Sequence, residues 1–525
     1  MQVLTPLFAT LDNAESIEKN LEQFLLVLSV SLSVAALSRV FSWFRQIPYT
    51  LLLVIVGLGL AILDVRLVNL SPELILLIFL PPLLFEAAWN LNWSHLKRDL
   101  VPICLYAVVG VVISVVGIAL GLKILAGTSL ATALLVGAGL SATDPVSVTA
   151  LFRDLGVSKR LTVLMEGESL FNDGVAVVAF GLLSGVALGM EQLSIPLALV
   201  GFFAFVGIGL GVGGLIGFGI SYLTQRFDLP NVEQSLTLVS AYGTYLIAEQ
   251  FGGSGVIAVV TVGLILGNFG SRIGMNPRTR LVVSEFWEFI AFFVNSIVFL
   301  LIGDQVRFNS LATNIQPILI TIAAILLTRA IGIYGLGSLS NWLARSELSW
   351  QGRTVLWWGG LRGSVSVALA LSVPTVLPER EDIIATVFGV MLFTLLVQGL
   401  TTKPLLEKLA LLGDQPLRQK YLEFVARRVA LNRVLEYLSQ SANRQEIESE
   451  FYNYQAALVK GQLGTLQQEI TNLQIQHPQL QTLAAEQLRE EMLAIESDTY
   501  AEFIRAGRLN DSLSPVLQEV LVESS

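Results

Sequence analysis

The sequence predicts an all-α polytopic membrane protein, with thirteen transmembrane helices followed by a soluble helical C-terminal tail. Three observations carry this expectation. Of the 525 residues, 54% are apolar and only 14% charged, against about 25% charged in an ordinary soluble domain. With a mean hydropathy of +0.69, the chain cannot cover a globule with polar groups, and lipid is its natural solvent. Apolar runs recur as far as residue 410, after which the composition changes: residues 413–525 hold sixteen acidic and ten basic residues.

A hydrocarbon core needs about 20 apolar residues per helix, within about 17–25. Such runs lie near 22–42, 47–64, 72–90, 101–126, 130–153, 162–188, 196–222, 232–250, 254–268, 281–303, 315–340, 354–375 and 382–410. The eighth carries many polar residues and the ninth is short. Residues 1–21 read as an external segment without the basic n-region of a signal peptide, so the first span serves as its own insertion signal. With that end outside, cytoplasmic loops hold Arg39, Arg45, Lys97, Arg98, Arg153, Lys159, Arg160, Arg226, Arg272, Arg278, Arg280, Arg345 and Arg353. External segments hold Lys19, Arg66, Lys123, Arg307 and Arg380. Thirteen against five is the bias of the positive-inside rule. The odd span number then makes residues 413–525 a cytoplasmic tail. In that tail Leu463, Leu466, Ile470 and Leu473 share a helical face, too short a pattern to claim a coiled coil.

Composition also argues against several functions. Only His95 and His477 are histidines and Cys104 is the one cysteine, which disfavours a histidine metal site, a Ser–His triad and an internal disulfide. Cys104, in an apolar stretch, reads as a small packing residue. No ATP-binding loop and no nucleic-acid surface is apparent, and no cofactor is expected.

Charges inside lipid are costly, by about 2.5–3.5 kcal/mol on insertion scales, so intramembrane ionisable groups are functional candidates. Here they are Glu86, Asp144, Glu166, Glu168, Asp173, Glu285, Glu288, Arg329 and Arg362. Residues 166–178, EGESLFNDGVAVV, are flanked by apolar sequence on both sides. A turn there would expose backbone to lipid, so a helix is expected. On it Ser169 and Asp173 share a face, as do Glu168 and Asn172. Glu168 and Asp173 lie about 140° apart, which lets one acid face a cavity while the other takes a separate partner.

Two spans read as interrupted. In GLSATDPVSVTALF, residues 139–152, Pro145 lacks an N–H and pushes Asp144 off helical dihedrals, so the fifth span breaks near Thr143–Asp144. In WWGGLRGSVSVALALSVP, residues 357–374, three glycines surround Arg362, which needs a carboxylate in the membrane. Interruptions in corresponding places of two half-repeats point to a transporter site. In FLPPLLFEAAWN, residues 79–90, Pro81 and Pro82 kink the third span ahead of Glu86, which either serves function or reaches interfacial water. Arg329 reads as structural, pairing with carbonyls or an acid, and Glu285 and Glu288 as snorkelling near a span end.

At GESLFNDGVAVV, SATDPVSVTALF, FLPPLLFEAAWN and WGGLRGSVSVALAL the chain resembles the monovalent cation:proton antiporters, in the electroneutral NhaP and Na+/H+ exchanger branch and similar to its cyanobacterial members. The resemblance spans roughly residues 20–412. It implies an NhaA/NhaP-like fold with inverted repeats and two broken, crossing helices. Core helices would lie at about 101–188 and 315–410, and dimerisation helices of a homodimer at about 22–90 and 196–303. It further implies that Asp173 binds the cation or the proton, that Ser169 and the Thr143 backbone help hold Na+ (or Li+), and that Asn172 stands where electrogenic relatives have an acid. Glu168 would pair with Arg362, Asp144 would balance the ends of the broken helices, and Glu86 would lie on or near the ion path.

The chemistry of the residues agrees. A partly desolvated carboxylate holds its proton more tightly than one in water, so one acid can carry a proton or a cation near neutral pH, but not both. A single such acid beside an amide suggests electroneutral, one-for-one exchange in a cell membrane, with Glu86 and Glu166 as further acids able to titrate. K+/H+ or Ca2+/H+ exchange, a cation channel, and a membrane sensor signalling through residues 413–525 stay open as alternatives.

Overall fold

The computed structural model describes residues 5–40, 47–63, 65, 67, 71–190, 195–224, 230–271, 275, 277–344, 347–412, 415–441, 449–478 and a scatter of positions from 480 to 503. Arg45, Arg66, Arg226, Arg272 and Arg345 of the loop tally lie outside them. Among the described residues all regular structure is helical.

Two compact units divide the chain, Met1–Leu411 and Leu412–Ser525. In the first, α1 (Thr5–Val40), α2 (Tyr49–Ile62), α3 (Leu74–Asn90) and α4 (Leu100–Ala126) come in order. A broken pair follows, α5 (Leu130–Gly139) and α6 (Val146–Leu155). Next are α7 (Lys159–Ala187), α8 (Ile195–Thr224), α9 (Pro230–Gln250), α10 (Gly255–Gly270), α11 (Pro277–Asp304) and α12 (Ile315–Ala344). A second broken pair, α13 (Trp350–Trp358) and α14 (Ser364–Leu371), leads into α15 (Arg380–Lys408). The stretch read as an external segment before residue 22 is helical from Thr5, continuous with the first apolar span.

Six of these helical stretches are long and apolar enough to cross a membrane: Leu100–Ala126, Lys159–Ala187, Ala198–Thr224, Thr279–Asp304, Ile315–Ala344 and Arg380–Lys408. Shorter apolar helices pack among them. Their packing falls into two sets. α2 packs on α11, α3 packs on both α10 and α11, and α8 and α9 join them through α10. α4, α5, α7, α12, α14 and α15 pack on one another. Lipid supplies no hydrophobic drive between helices, so contact depends on close backbone approach. Gly57 of α2 and Gly303 of α11 show this: a Cβ on either would strike the other helix's backbone. Cys104, read as a packing residue, sits exposed on the outside of α4.

The second unit holds α16 (Gln415–Ser441) packed against α17 (Ser449–Gln476). Tyr421, Ile470 and Leu480 form its small core, with Leu417, Phe424, Val425 and Leu473 against it. Leu466 and Ile470 of the predicted stripe are buried.

Candidate functional site

The two chain breaks meet. α5 ends at Gly139, and Pro145 forbids a smooth restart before Val146. α13 ends at Trp358, and the glycine-rich segment 359–363 leads into α14. The Asp144 N–H donates to the Leu361 carbonyl at 2.8 Å, tying one break to the other. Ser366 Oγ donates to the Ala142 carbonyl at 3.4 Å. One released backbone N–H and one released carbonyl thus satisfy each other, and a side chain serves another carbonyl, inside protein, as irregular backbone at membrane depth requires.

Side chains complete the junction. Asp144 Oδ1 accepts the Val146 N–H at 2.9 Å, placing a carboxylate at the positive start of α6. Gly363 lies directly against Asp144, and any Cβ there would overlap the carboxyl group. Gly363→Ala is therefore expected to destabilise the protein by about 1–3 kcal/mol, the usual cost of overpacking, and to displace Asp144. A thermal unfolding midpoint equal to wild type would contradict this packing.

α7 presents its polar residues to this junction. Asn172 Oδ1 accepts the Thr143 N–H at 3.2 Å, while Asn172 Nδ2 donates to Thr143 Oγ1 at 2.7 Å. An amide suits this double contact because it both accepts and donates. Ser169 Oγ donates to the Thr143 carbonyl. One turn on, Asp173 is only 8% exposed, and its Oδ1 has no hydrogen-bond partner among the described residues.

Asp173 lines a cavity of about 220 Å3 that also meets Thr143, Asp144, Ser169, Glu86, Arg153, Glu166, Glu288 and Asn295. The structure therefore gathers Asp173, Ser169, Thr143, Asp144 and Glu86 around one space. Asn172 lies behind it, facing a smaller polar cavity beside Glu168 and Arg329. Glu86, on α3, accepts from Asn90 Nδ2 at 2.6 Å. Ser169 and Thr143 are bonded to each other here, and among the described residues lining the cavity only Asp173 has a buried side-chain oxygen without a hydrogen-bond partner.

Glu168 faces away from Asp173, and here an expectation is corrected. Its partner is Arg329, not Arg362. Arg329 Nη1 and Nη2 reach Glu168 Oε1 and Oε2 at 2.8 and 3.3 Å. The same guanidinium donates to the carbonyls of Leu356 and Trp357 in the last turn of α13. Two physical reasons account for the choice. The carbonyl end of an interrupted helix attracts a cation. Gly360 also leaves the space the guanidinium crosses, since a Cβ there would collide with Arg329 Nε and Cζ. Arg362 is 1% exposed. It turns back on its own segment, with Nη1 donating to the Gly360 carbonyl at 2.7 Å and its N–H to Thr394 Oγ1 at 3.1 Å.

Sequence reasoning missed three wall residues. Arg153 stands there only as a loop charge, Glu288 as a functional candidate whose default explanation is snorkelling, and Asn295 carries no signal in the sequence. Arg153 and Glu166 flank the short turn between α6 and α7 and form an ion pair at 2.7 Å. Opposite charges on either side of a hairpin turn were the available signal.

Interrupted apolar helices meeting beside a buried acid define a class, the secondary transporters, which move solutes without enzymatic chemistry. The family profile described as "Sodium/hydrogen exchanger, transmembrane" matches residues 28–408, and the chain belongs to that family. It is 66% identical over 510 residues to the Na(+)/H(+) antiporter ApNhaP of Aphanothece halophytica, covering 97% of this chain and 98% of the relative. It is 58% identical over 506 residues to the low-affinity Na(+)/H(+) antiporter NhaS1 of Synechocystis, covering 96% of each. The structure of the sodium proton antiporter MjNhaP1 from Methanocaldococcus jannaschii at pH 8 superposes with a TM-score of 0.61 at 20% identity. That match covers 75% of this chain and 99% of the archaeal one, a likeness of fold.

Proposed function

We propose that this protein is a secondary active antiporter that exchanges Na+ (or Li+) for H+ across a cell membrane, by competition of the two cations for Asp173. The observation that carries this reading is Asp173, which lines the cavity while one of its carboxylate oxygens, Oδ1, is buried and free of hydrogen-bond partners among the described residues. A buried carboxylate oxygen left without a partner is costly. A proton or a hard cation relieves the cost, and binding one excludes the other. Ser169 and Thr143 line the same cavity, and Ser169 Oγ and the Thr143 carbonyl become ligands once their mutual hydrogen bond opens.

Of the acids lining the cavity, Asp173 is the one with a buried oxygen free of hydrogen-bond partners among the described residues, which supports one proton per Na+ and electroneutral exchange. The helices from Thr5 to Lys408 read as thirteen crossings when each broken pair counts once. The tail then lies in the cytoplasm and the first helix begins outside. The cavity wall draws Glu86 and Glu288 from one helical set and Asp173 and Asp144 from the other. Sliding of the second set against the first, held fixed in a homodimer, would carry the site between the two faces.

The test is Na+-driven proton flux in proteoliposomes across a panel of Na+, Li+, K+ and Ca2+. Flux with Na+ and Li+ and no net current is the expected result. Flux with K+ or Ca2+ alone would change the substrate. Steady current without proton counter-movement would replace exchange by a channel.

A further inference from the structure

The cavity mouth carries a positive charge of its own. Arg153, in the last turn of α6, is the one basic side chain among the described residues lining the space that leads to Asp173. Its Nη2 lies 2.7 Å from Glu166 Oε1 on α7, and the two side chains are 67% and 21% exposed. Glu86 on α3 and Glu288 on α11 line the same space and interact electrostatically with Arg153. A cation moving inward therefore meets one guanidinium and the carboxylates of Glu86, Glu166 and Glu288, in a cavity that Asp144 also lines, on its way to Asp173.

We propose that Glu166 tethers Arg153 as a fixed counter-charge at this mouth, and that the pair sets how strongly Na+ is drawn toward Asp173. Held by Glu166, the guanidinium cancels one carboxylate and is kept from settling on Glu86 or Glu288, which stay available to an incoming ion. Without Arg153, all three acids act on the ion. Without Glu166, one acid is gone and the released guanidinium moves onto the remaining two. Arg153 and Glu166 thus act as positioning residues, and their removal has opposite consequences. A clamp that merely holds α6 against α7 would respond in the same way to loss of either partner.

The inference rests on the Na+ for H+ reading above. Its test measures the Na+ dependence of exchange for the wild-type, Arg153→Gln, Arg153→Lys and Glu166→Gln full-length proteins in proteoliposomes at low ionic strength. N-methylglucamine chloride is then added to screen charge. One unit charge a few ångströms from the ion path alters its occupancy roughly threefold to tenfold. The KM for Na+ should fall by that factor in Arg153→Gln and rise by it in Glu166→Gln. Arg153→Lys should restore KM toward wild type, the change should fall on KM more than on the maximal rate, and added salt should shrink every difference. KM values that stay put in both glutamine variants, or move in the same direction, overturn the inference while exchange itself stands. A wild-type protein that moves no Na+ against H+ overturns the proposed function and this inference with it.

Discussion

Asp173→Asn is expected to reduce Na+-driven proton flux to background while the protein still inserts and folds. The substitution keeps the size of the side chain and removes the group that takes up a proton or a cation. The site would then hold neither ion in exchangeable form, and neither Ser169 nor the Thr143 carbonyl carries a charge to replace it. Folding should not suffer, because Asp173 Oδ1 makes no hydrogen bond among the described residues. A neutral amide costs less to bury than an unpaired carboxylate, so the thermal midpoint of the purified variant should equal or exceed that of wild type. Loss of flux at undiminished stability separates a transport role from a structural one. Normal Na+ exchange by Asp173→Asn would remove this acid from the mechanism.

The second large effect concerns Glu168 and Arg329. Their side chains are 4% and 9% exposed and joined by two contacts. Breaking a buried pair from one side costs about 3–5 kcal/mol, because the other charge stays buried without its partner. Glu168→Gln should be severe, since it leaves Arg329 and the nearby Arg362 without this carboxylate. Arg329→Gln should also be severe, since Glu168 loses its bidentate partner and the carbonyls of Leu356 and Trp357 lose their donor. The double variant Glu168→Gln/Arg329→Gln should recover part of the loss. A double-mutant cycle gives the coupling directly. The Glu168–Arg329 coupling should exceed the Glu168–Arg362 coupling, read from unfolding midpoints in detergent. The reverse order would restore the pairing expected from family resemblance.

Much of the fold was legible because lipid imposes simple rules on sequence. Apolar runs must reach across about 30 Å of hydrocarbon, and the runs read near 101–126, 162–188 and 315–340 correspond to the helices Leu100–Ala126, Lys159–Ala187 and Ile315–Ala344. Pro145 cannot continue a helix, and the α5–α6 gap from residue 140 to 145 encloses the predicted rupture at Thr143–Asp144. Helical spacing also indicated that Glu168 and Asp173 would face different ways, and the cavity lies beside only one of them.

Other features could not be read locally. Arg329 is 161 positions from Glu168, and no helical periodicity says which of two distant arginines crosses a glycine to reach it. Asn172 looked like a neighbour of the ion, yet both ends of its amide are engaged by Thr143.

By itself, then, the sequence determined that the chain lives in a membrane, where its helices break, and which ionisable groups lie among apolar neighbours, because propensity and hydropathy act along the chain. The tertiary structure decided which arginine neutralises Glu168, which polar side chains are consumed in holding the breaks together, and which charges share a cavity with Asp173. Those choices depend on ångström-scale distances between helices far apart in sequence, and close packing at Gly360 and Gly363 sets them.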